Sequence, residues 1–374
     1  IDVGEDPVIR RLSAEQSNSS LVMEEKMVLK VIRRLLAGVH PEAEMGRYLT
    51  EQGYANAPRL LGEVTRFAVD GTRRTMILLQ EYIDNQGDAW QWMLDTLARW
   101  VQQSTVAPSA PTETDAELAD PEEDVAKIAA RLGTRLGELH AVLARPTDLP
   151  EFSPAPARQD DVAQWAAGAR RQLQAAFDVL RGKREWSNEA EAKRVATLME
   201  REGRILQLVD DLAAAGLGTL RTRIHGDFHL GQVLVAHGDV YLVDFEGEPV
   251  KPLEQRREKS SPLRDVAGLL RSFDYAAAFA VRAAPAGLNE EAELRRQQIV
   301  RDFVPMCRTA FLDAYREAAY AGPLRIDPDA EQALLQLFVL EKAAYEVCYE
   351  AANRPSWIPV PVNGLVRIVD QLLT

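Results

Sequence analysis

Several side chains that could act together in phosphoryl transfer lie within one short stretch of the chain, residues 223–249. Asp227 ends a His-Gly-Asp tripeptide, and Gln232 follows it five residues later. Two runs of β-branched and aromatic residues then flank a four-residue turn, a pattern that predicts a β-hairpin. The second strand of this hairpin would bring Asp244 and Glu246 back beside Asp227.

These residue types suit a reaction in which the protein mainly positions its substrates. Phosphoryl transfer needs a carboxylate that accepts the proton of the acceptor hydroxyl, and oxygen ligands for the Mg²⁺ that bridges the phosphates. We assign the first role to Asp227. Magnesium prefers hard oxygen ligands and usually takes only one or two carboxylates. The predicted ligands are therefore Asp244 and the side-chain oxygen of Gln232, with Glu246 as a third candidate. The alternative is an ordinary hairpin with charged ends.

The motifs that carry these residues, HGDFHLGQ and LVDFE, resemble the aminoglycoside-phosphotransferase-like branch of the protein-kinase-like fold. That branch has an HGDxxxxN loop before a strand that ends in aspartate, so Gln232 stands where asparagine is usual. The glutamine is typical of maltokinases. Segments similar to that family run from EQSNSS at 15–20 to LEKAAYEVCYEAANRPSWIPVP at 340–361. The resemblance therefore covers nearly the whole chain.

The order of predicted elements agrees with the fold that the resemblance implies, an α+β, two-lobed, protein-kinase-like fold. Residues 8–83 read as several strands with one helix near 41–52. We expect residues 1–86 to form a small β-rich, nucleotide-binding lobe. Residues 87–374 are expected to form a larger, mainly helical lobe that holds the catalytic hairpin and the acceptor site. Within it, residues 102–123 are rich in Pro, Ser, Thr and acidic residues and are expected to form a flexible acidic loop.

The resemblance also implies a nucleotide site in the small lobe. Lys30 lies in the middle of an apolar strand, where a kinase uses a lysine to hold the nucleotide phosphates. The helix glutamate that orients this lysine would be Glu44. A solvent-facing lysine and a surface glutamate are the alternative interpretation. The serine-rich turn before the strand lacks glycine, but hydroxyl and backbone N–H groups can bind phosphate oxygens. The other expected nucleotide contacts are Ser17, Asn18, Ser19, Ser20, Glu81 and Tyr82.

A helix near the C-terminal end combines acidic, basic and aromatic residues in a way that suits a carbohydrate. Sugar hydroxyls need many donors and acceptors, and the C–H faces of a sugar pack on aromatic rings. Residues four apart share one face of a helix. The alternative is a polar outer face stabilised by pairing between Lys342 and Glu346. The predicted acceptor-binding residues are Lys342, Tyr345, Glu346, Tyr349, Glu350, Arg354 and Trp357.

Composition disfavours several other classes of protein. The chain has 374 residues, of which 46% are hydrophobic and 27% charged, as is ordinary for a folded protein. A net charge of −13 disfavours nucleic acid and anionic membranes as partners, because both require a basic surface. No apolar run approaches the roughly 18 residues of a membrane span, and no export signal opens the sequence. We therefore expect a cytoplasmic enzyme.

We expect an ATP- and Mg²⁺-dependent sugar kinase. The resemblance makes maltose the first acceptor, with maltose 1-phosphate as product, and glucosamine or another small sugar is the alternative. From a different class, the chain could be a low-activity kinase-like module fused to a carbohydrate enzyme. Some maltokinases are fused to trehalose synthase, and the first residue, Ile1, fits a fragment of such a fusion.

Overall fold

An antiparallel five-stranded sheet forms the small lobe of the computed structural model, which describes residues 8–12, 18–105, 120–183, 186, 188–282 and 289–373. The strands are β1 Ile9–Arg11, β2 Asn18–Met23, β3 Met27–Ile32, β4 Leu60–Phe67 and β5 Arg73–Glu81. Their order in the sheet is β1-β2-β3-β5-β4. Lys30 pairs in register with Ser20 on one side and Leu78 on the other. Because directly paired residues share a face, all three side chains lie on the buried face of the sheet.

Helix α1, Pro41–Glu51, connects the sheet to the rest of the molecule. Proline suits the first helical turn because its missing N–H would have no intrahelical partner there. Ala43 packs against Ile32 and Leu78 of the sheet. Met45 and Leu49, one helical turn apart, belong instead to the hydrophobic core of the large lobe. One helix therefore packs on both lobes.

The large lobe is mainly helical, which confirms the predicted two-lobed α+β architecture. Its core is formed by apolar faces of long helices that pack on one another, with α3 and α9 in close contact. Its helices are α2 Ala89–Thr105, α3 Pro121–Leu143, α4 Gln159–Gly182, α5 Glu189–Glu200, α6 Glu202–Ala214, α7 Leu253–Arg256, α8 Leu263–Arg282, α9 Glu290–Ala319, α10 Pro328–Asn353 and α11 Pro359–Leu373. A two-stranded ribbon pairs β6 Ala155–Pro156 with β7 Leu220–Arg221.

The predicted hairpin is present between the loop of Asp227 and Asp244. Strands β8 Val233–Ala236 and β9 Asp239–Leu242 pair antiparallel, with Ala236 opposite Asp239. The two turn residues, His237 and Gly238, both have positive φ, 51° and 75°. Such a turn matches the twist of the strands that it joins. It therefore sets the register that delivers residue 244 next to residue 232.

Both ends of the segment predicted as a flexible acidic loop, 102–123, lie in helices. Residues 102–105 still belong to α2, and 121–123 already belong to α3. The early start of α3 has a local cause, because the Asp120 side chain accepts a hydrogen bond from the Glu122 backbone N–H. Residues 106–119 lie outside the described residues. The lobe division at residue 86 remains a prediction and falls between β5 and α2.

In the part of the chain that the structure describes, no helix is both long enough and apolar enough to cross a membrane.

The contact between α3 and α9 depends on Gly133. A Cβ at this position would lie 2.1 Å from the carbonyl oxygen of Phe311, a backbone atom that cannot move aside. We expect Gly133→Ala to lower the free energy of unfolding by at least about 3 kcal/mol, the upper part of the usual overpacking range. Urea unfolding measures this change.

Gly203→Ala is the matched control, because a Cβ at position 203 of α6 meets nothing within 4 Å. Alanine is also the better helix former by up to about 1 kcal/mol. Equal losses of stability in the two variants would contradict the close packing described for α3.

Candidate active site

The ammonium group of Lys30 lies between two carboxylates from different lobes. Its Nζ is 2.9 Å from Oε2 of Glu42 on α1 and 2.6 Å from Oδ1 of Asp244, just after β9. Lys30 and Glu42 are almost fully buried. The two contacts hold the lysine in one orientation, with its charge directed to Asp244. In kinases, a lysine and an aspartate in these positions bind the nucleotide phosphates and the metal ion.

The predicted ion pair between Lys30 and Glu44 is wrong, because Glu42 is the partner of the lysine. Successive helical residues are rotated by about 100°, so Glu42 and Glu44 face nearly opposite directions. Glu44 instead binds two arginines of the large lobe. Its carboxylate accepts hydrogen bonds from Arg257 Nε at 2.9 Å and from Arg223 Nη1 at 2.5 Å. Sequence analysis missed Glu42, although its place in the first turn of the same helix was visible.

Burial and the charge of Lys30 shift the pKa values of Glu42 and Asp244 in opposite directions. Burial raises the pKa of Glu42 to about 7, although the nearby Lys30 opposes the shift. Burial also opposes ionisation of Asp244, but Lys30 and a hydrogen bond from Gln232 together lower the pKa of Asp244. Asp244 is therefore the carboxylate that remains ionised beside the lysine.

The loop that carries Asp227 is tied to the start of α8. The carboxylate of Asp265 accepts hydrogen bonds from the backbone N–H groups of His225, at 2.7 Å, and Gly226, at 2.9 Å. It also lies 3.1 Å from Nε2 of His140. Gly226 has φ 85°, a backbone conformation that is strained for residues with a side chain. Space is not the constraint, because the atom nearest to an added Cβ would be 3.5 Å away. Backbone conformation, more than lack of space, requires this glycine.

Asp265 lies in the first turn of α8, where a carboxylate suits the start of a helix. Its further contacts to the Asp227 loop could not be read from its sequence neighbours. Nδ1 of the buried His140 lies 3.0 Å from the hydroxyl of Tyr315. A buried polar chain therefore runs from α9 through α3 to the loop.

The structure brings Gln232 and Asp244 into contact, and the predicted place of Asp227 beside them remains a prediction. His229 lies near both Asp227 and Asp244, since both carboxylates raise its pKa, although burial has the larger, lowering effect. Gln232 donates its side-chain hydrogen bond to Asp244. The amide oxygen of Gln232 is then free of that contact. Glu246 is buried, with Oε2 3.9 Å from Nη1 of Arg256, and its role as a metal ligand remains a prediction.

The donors present fit Mg²⁺. A carboxylate and an amide oxygen are hard ligands, and Mg²⁺ in phosphotransferases usually completes its shell with water and substrate phosphates. Among the described residues, no group of three His, Cys, Asp or Glu side chains is placed to hold a metal ion. The candidate set is therefore Asp244 with Gln232, and it depends on phosphate for its other ligands.

The serine-rich segment forms part of a strand where a loop was predicted. Asn18, Ser19 and Ser20 begin β2, while Ser17 lies outside the described residues. Ser20 is fully buried opposite Lys30, and its hydroxyl has no hydrogen-bond partner within the described ranges. A phosphate oxygen would supply such a partner. The nucleotide contacts of this segment remain predictions.

The end of β5 and the segment after it lead from the sheet into α2. The backbone N–H of Glu81 donates to the Arg59 carbonyl at 2.9 Å, and that of Tyr82 donates to the Lys26 carbonyl at 3.0 Å. These two N–H groups are therefore engaged within the small lobe. Contacts of Glu81 and Tyr82 to a nucleotide remain predictions.

Asp227 borders a cavity of about 380 Å³, a size usual for small-molecule sites. From α10, Lys342 and Tyr345 line the same cavity, and Nζ of Lys342 is 3.7 Å from Oδ1 of Asp227. Burial opposes the charge of Lys342, but Asp227 and then Glu248 raise its pKa. Glu248, which the sequence analysis did not select, also lines the cavity. The lysine remains charged beside the carboxylate.

The other predicted acceptor residues lie further along α10 and beyond its end, and they contact one another and α8. Glu346 accepts hydrogen bonds from the buried Arg271, at 2.9 and 2.6 Å. Glu350 binds Arg354 at 2.6 Å. Both carboxylates are thus engaged inside the protein, because their helix face is turned to α8 and to the chain that follows.

The aromatic members of that set also find partners within the large lobe. The ring of Trp357 stacks on Tyr275 at 6.4 Å and lies 6.1 Å from Phe279. Tyr349 is exposed and lies 6.2 Å from the ring of Tyr345. Only Lys342 and Tyr345 of the predicted set line the cavity at Asp227. Sugar contacts by the remaining five stay predictions.

Comparison with known proteins identifies the family of the chain. The model of a family described as the phosphotransferase enzyme family matches residues 8–320. Glucosamine kinase of Streptacidiphilus jiangxiensis is 28% identical over 370 residues, which cover 97% of this chain and 74% of the relative. Glucosamine kinase of Mycolicibacterium smegmatis is 27% identical over 373 residues, covering 97% of this chain and 80% of the relative.

A solved structure is similar as well, that of a glucosamine kinase in complex with glucosamine, ADP and inorganic phosphate. Its TM-score is 0.72 at 26% identity, and the match covers 96% of this chain and 76% of that one. The fold and the site thus define an enzyme of the kinase-like phosphotransferase class. The chain belongs to the phosphotransferase enzyme family. The predicted class is confirmed, while the relatives named above are glucosamine kinases, where the sequence resemblance favoured maltokinases.

A pH dependence of stability follows from His40, the residue before α1. Burial, followed by the charges of Lys30 and Arg256, lowers the pKa of His40 to about 4. The folded protein therefore keeps this histidine neutral, whereas the unfolded chain binds a proton below pH 6.5. Stability must fall as pH drops from 6.5 toward 4. We expect this contribution to reach about 2–3 kcal/mol at pH 4.5 and to be absent in His40→Gln.

Urea unfolding at pH 7.5 and 4.5 compares the two proteins. His237→Asn, a change at an exposed histidine whose positive φ asparagine tolerates, serves as the control and should keep the wild-type slope. An unchanged pH dependence in His40→Gln would show that His40 does not remain neutral in the fold.

Proposed function

We propose that the chain is an ATP- and Mg²⁺-dependent kinase of small sugars, with glucosamine as its first candidate acceptor. One observation carries the proposal: the Lys30 ammonium group lies 2.6 Å from Asp244 Oδ1 at the end of the hairpin, and Asp227, in the loop before the same hairpin, borders an open cavity. An acceptor hydroxyl in the cavity and a phosphate near Lys30 would then meet at Asp227. This is the arrangement that phosphoryl transfer requires.

In the proposed reaction the acceptor oxygen attacks the γ-phosphorus of ATP. The new O–P bond forms as the bond from that phosphorus to the bridging oxygen breaks, and ADP leaves. Asp227 accepts the proton of the hydroxyl, and Lys30, fixed by Glu42, holds the phosphates. Mg²⁺, when bound by Asp244 and Gln232, would neutralise phosphate charge. The ammonium group of Lys342 lies 3.7 Å from Oδ1 of Asp227, beside the proposed base.

The nature of the acceptor rests on two kinds of support. The relatives reported above are named glucosamine kinases, and the similar solved structure contains glucosamine. The cavity also contains the carboxylate of Glu248, which accepts a hydrogen bond from Lys251 Nζ at 3.1 Å and is close enough to Lys342 and Tyr345 to raise the pKa of each. An ammonium group is attracted by such a carboxylate. Maltose, which the sequence resemblance favoured, is the second candidate.

The proposal is tested by ADP release from Mg·ATP with glucosamine, maltose, glucose and kanamycin as acceptors. We expect turnover that depends on glucosamine. Asp227→Asn should lower kcat by about 10²–10⁴, the usual contribution of a general base, because an amide cannot accept the proton. The KM for ATP should change little. Asp95→Asn, at an exposed carboxylate on α2, is the control and should retain activity.

The outcomes separate the candidates. Preference for maltose would replace glucosamine as the acceptor. Full activity in Asp227→Asn would remove the proposed base, and failure of the wild type to bind ATP would overturn the kinase proposal.

A second variant tests the acceptor contact. Glu248→Gln removes a charge from the cavity without changing its size, so we expect the KM for glucosamine to rise about tenfold and the KM for glucose to change less than threefold. Steady-state kinetics with both sugars measure the difference. An equal rise for both sugars would mean that Glu248 does not recognise the amino group.

A further inference from the structure

Glu44 forms the most extensive ionic contact between α1 and the large lobe. Arg257 binds its carboxylate through two nitrogens, Nε at 2.9 Å and Nη2 at 2.5 Å, and Arg223 adds a third hydrogen bond at 2.5 Å. Two-nitrogen contacts of this kind fix orientation as well as distance. Arg223 is 1% exposed, so its charge is desolvated and depends on Glu44 for compensation.

The two arginines come from backbone segments that are themselves paired. Thr222 and Ser260 exchange N–H···O hydrogen bonds of 3.0 and 2.9 Å. Arg223 follows Thr222, and the chain then continues directly into the loop of Asp227. Through Arg223, Glu44 therefore contacts the start of the loop that carries the proposed catalytic carboxylate, Asp227.

On the other side, Glu44 is only two residues from Glu42. Glu42 holds Lys30, and Lys30 reaches Asp244. The first turn of α1 thus carries two carboxylates with different partners: one orients the phosphate-binding lysine, and the other binds the large lobe. A shift of this turn would move Lys30 relative to Asp227.

Apolar contacts reinforce the same junction. The ring of Tyr48, one turn after Glu44, stacks on Phe152 of the large lobe at 3.8 Å with an interplanar angle of 4°. The guanidinium of Arg223 lies 5.0 Å from the same Phe152 ring. Arg223 is therefore held from both sides, by Glu44 and by an aromatic ring that also binds α1.

We propose that Glu44, with Arg223 and Arg257, is a positioning clamp that fixes α1, and with it Lys30, relative to the Asp227 loop. The proposal rests on the proposed kinase function for its catalytic consequence. Its structural consequence, the docking of α1 on the large lobe, can be measured without any sugar acceptor.

The test uses Glu44→Gln, Arg257→Gln and the double variant. Arg257→Gln is the milder change, because Arg223 still compensates Glu44. We expect Glu44→Gln to lower kcat with the best acceptor about tenfold and Arg257→Gln to lower it less, while the KM for the sugar changes less than twofold in both. Glu44→Gln already disrupts the contact that Arg257→Gln breaks, so the double variant should be no worse than Glu44→Gln. Amide hydrogen exchange of residues 41–51 should be faster in all three.

Arg47→Gln is the matched control. Arg47 lies on the same helix but pairs with Glu63 of the small lobe, at 2.5 Å. This variant should retain kcat within twofold. Its amide hydrogen exchange at the start of α1 should stay as slow as in the wild type.

Four results would overturn the clamp: multiplicative losses in the double variant, an equal loss in Arg47→Gln, unchanged exchange in the Glu44 and Arg257 variants, or a change in sugar KM with kcat intact. Faster exchange in a chain that phosphorylates no sugar would support the clamp and refute only the kinase proposal.

Discussion

The contact between Lys30 and Asp244 is the interaction on which the rest of the site depends. It joins residues 214 positions apart and brings a strand of the small lobe against the end of the hairpin in the large lobe. A buried ammonium group is stable only when it is well paired. The fold supplies two carboxylates, and their positions require both α1 and the hairpin to be in place. Docking of the lobes and assembly of the phosphate site are therefore the same event.

The loop of Asp227 is likewise held by buried polar contacts from distant parts of the chain. Its backbone N–H groups are bound by Asp265, which is itself buried and held by His140. A carboxylate with several hydrogen bonds can remain ionised in the interior, and the pKa of Asp265 is lowered accordingly by His140 and Gly226 against the effect of burial. The loop is rigid because helices α3 and α8 fix it. Its one acidic side chain is left to face the cavity.

The large lobe also explains why charged residues near the cavity differ in role. Lys342 and Glu346 are one turn apart on α10, yet the first faces Asp227 and the second is bound by Arg271 of α8. Tyr275 and Trp357 stack beyond them and close the end of the helix against α8. The polarity of α10 therefore serves both the cavity and the packing of the lobe.

The sequence by itself determined the local features of this protein. The His-Gly-Asp loop, the hairpin and its turn, the strand of Lys30 and the start of α1 all follow from nearest-neighbour chemistry, and their motifs led to the kinase-like fold and the phosphotransferase class. Short-range patterns succeed because turns, caps and strand alternation depend on residues that are adjacent in the chain.

Tertiary structure alone decided which side chains meet. Glu42, and not Glu44, contacts Lys30, because the rotation of α1 about its axis relative to the sheet sets which glutamate faces the lysine. The tertiary structure gave Asp265 its place under the Asp227 loop, and it turned Glu346 toward the buried Arg271 of α8. Each of these contacts joins different elements of the fold. Their partners are set by how helices pack, which depends on the whole core and cannot be read from any single stretch of sequence.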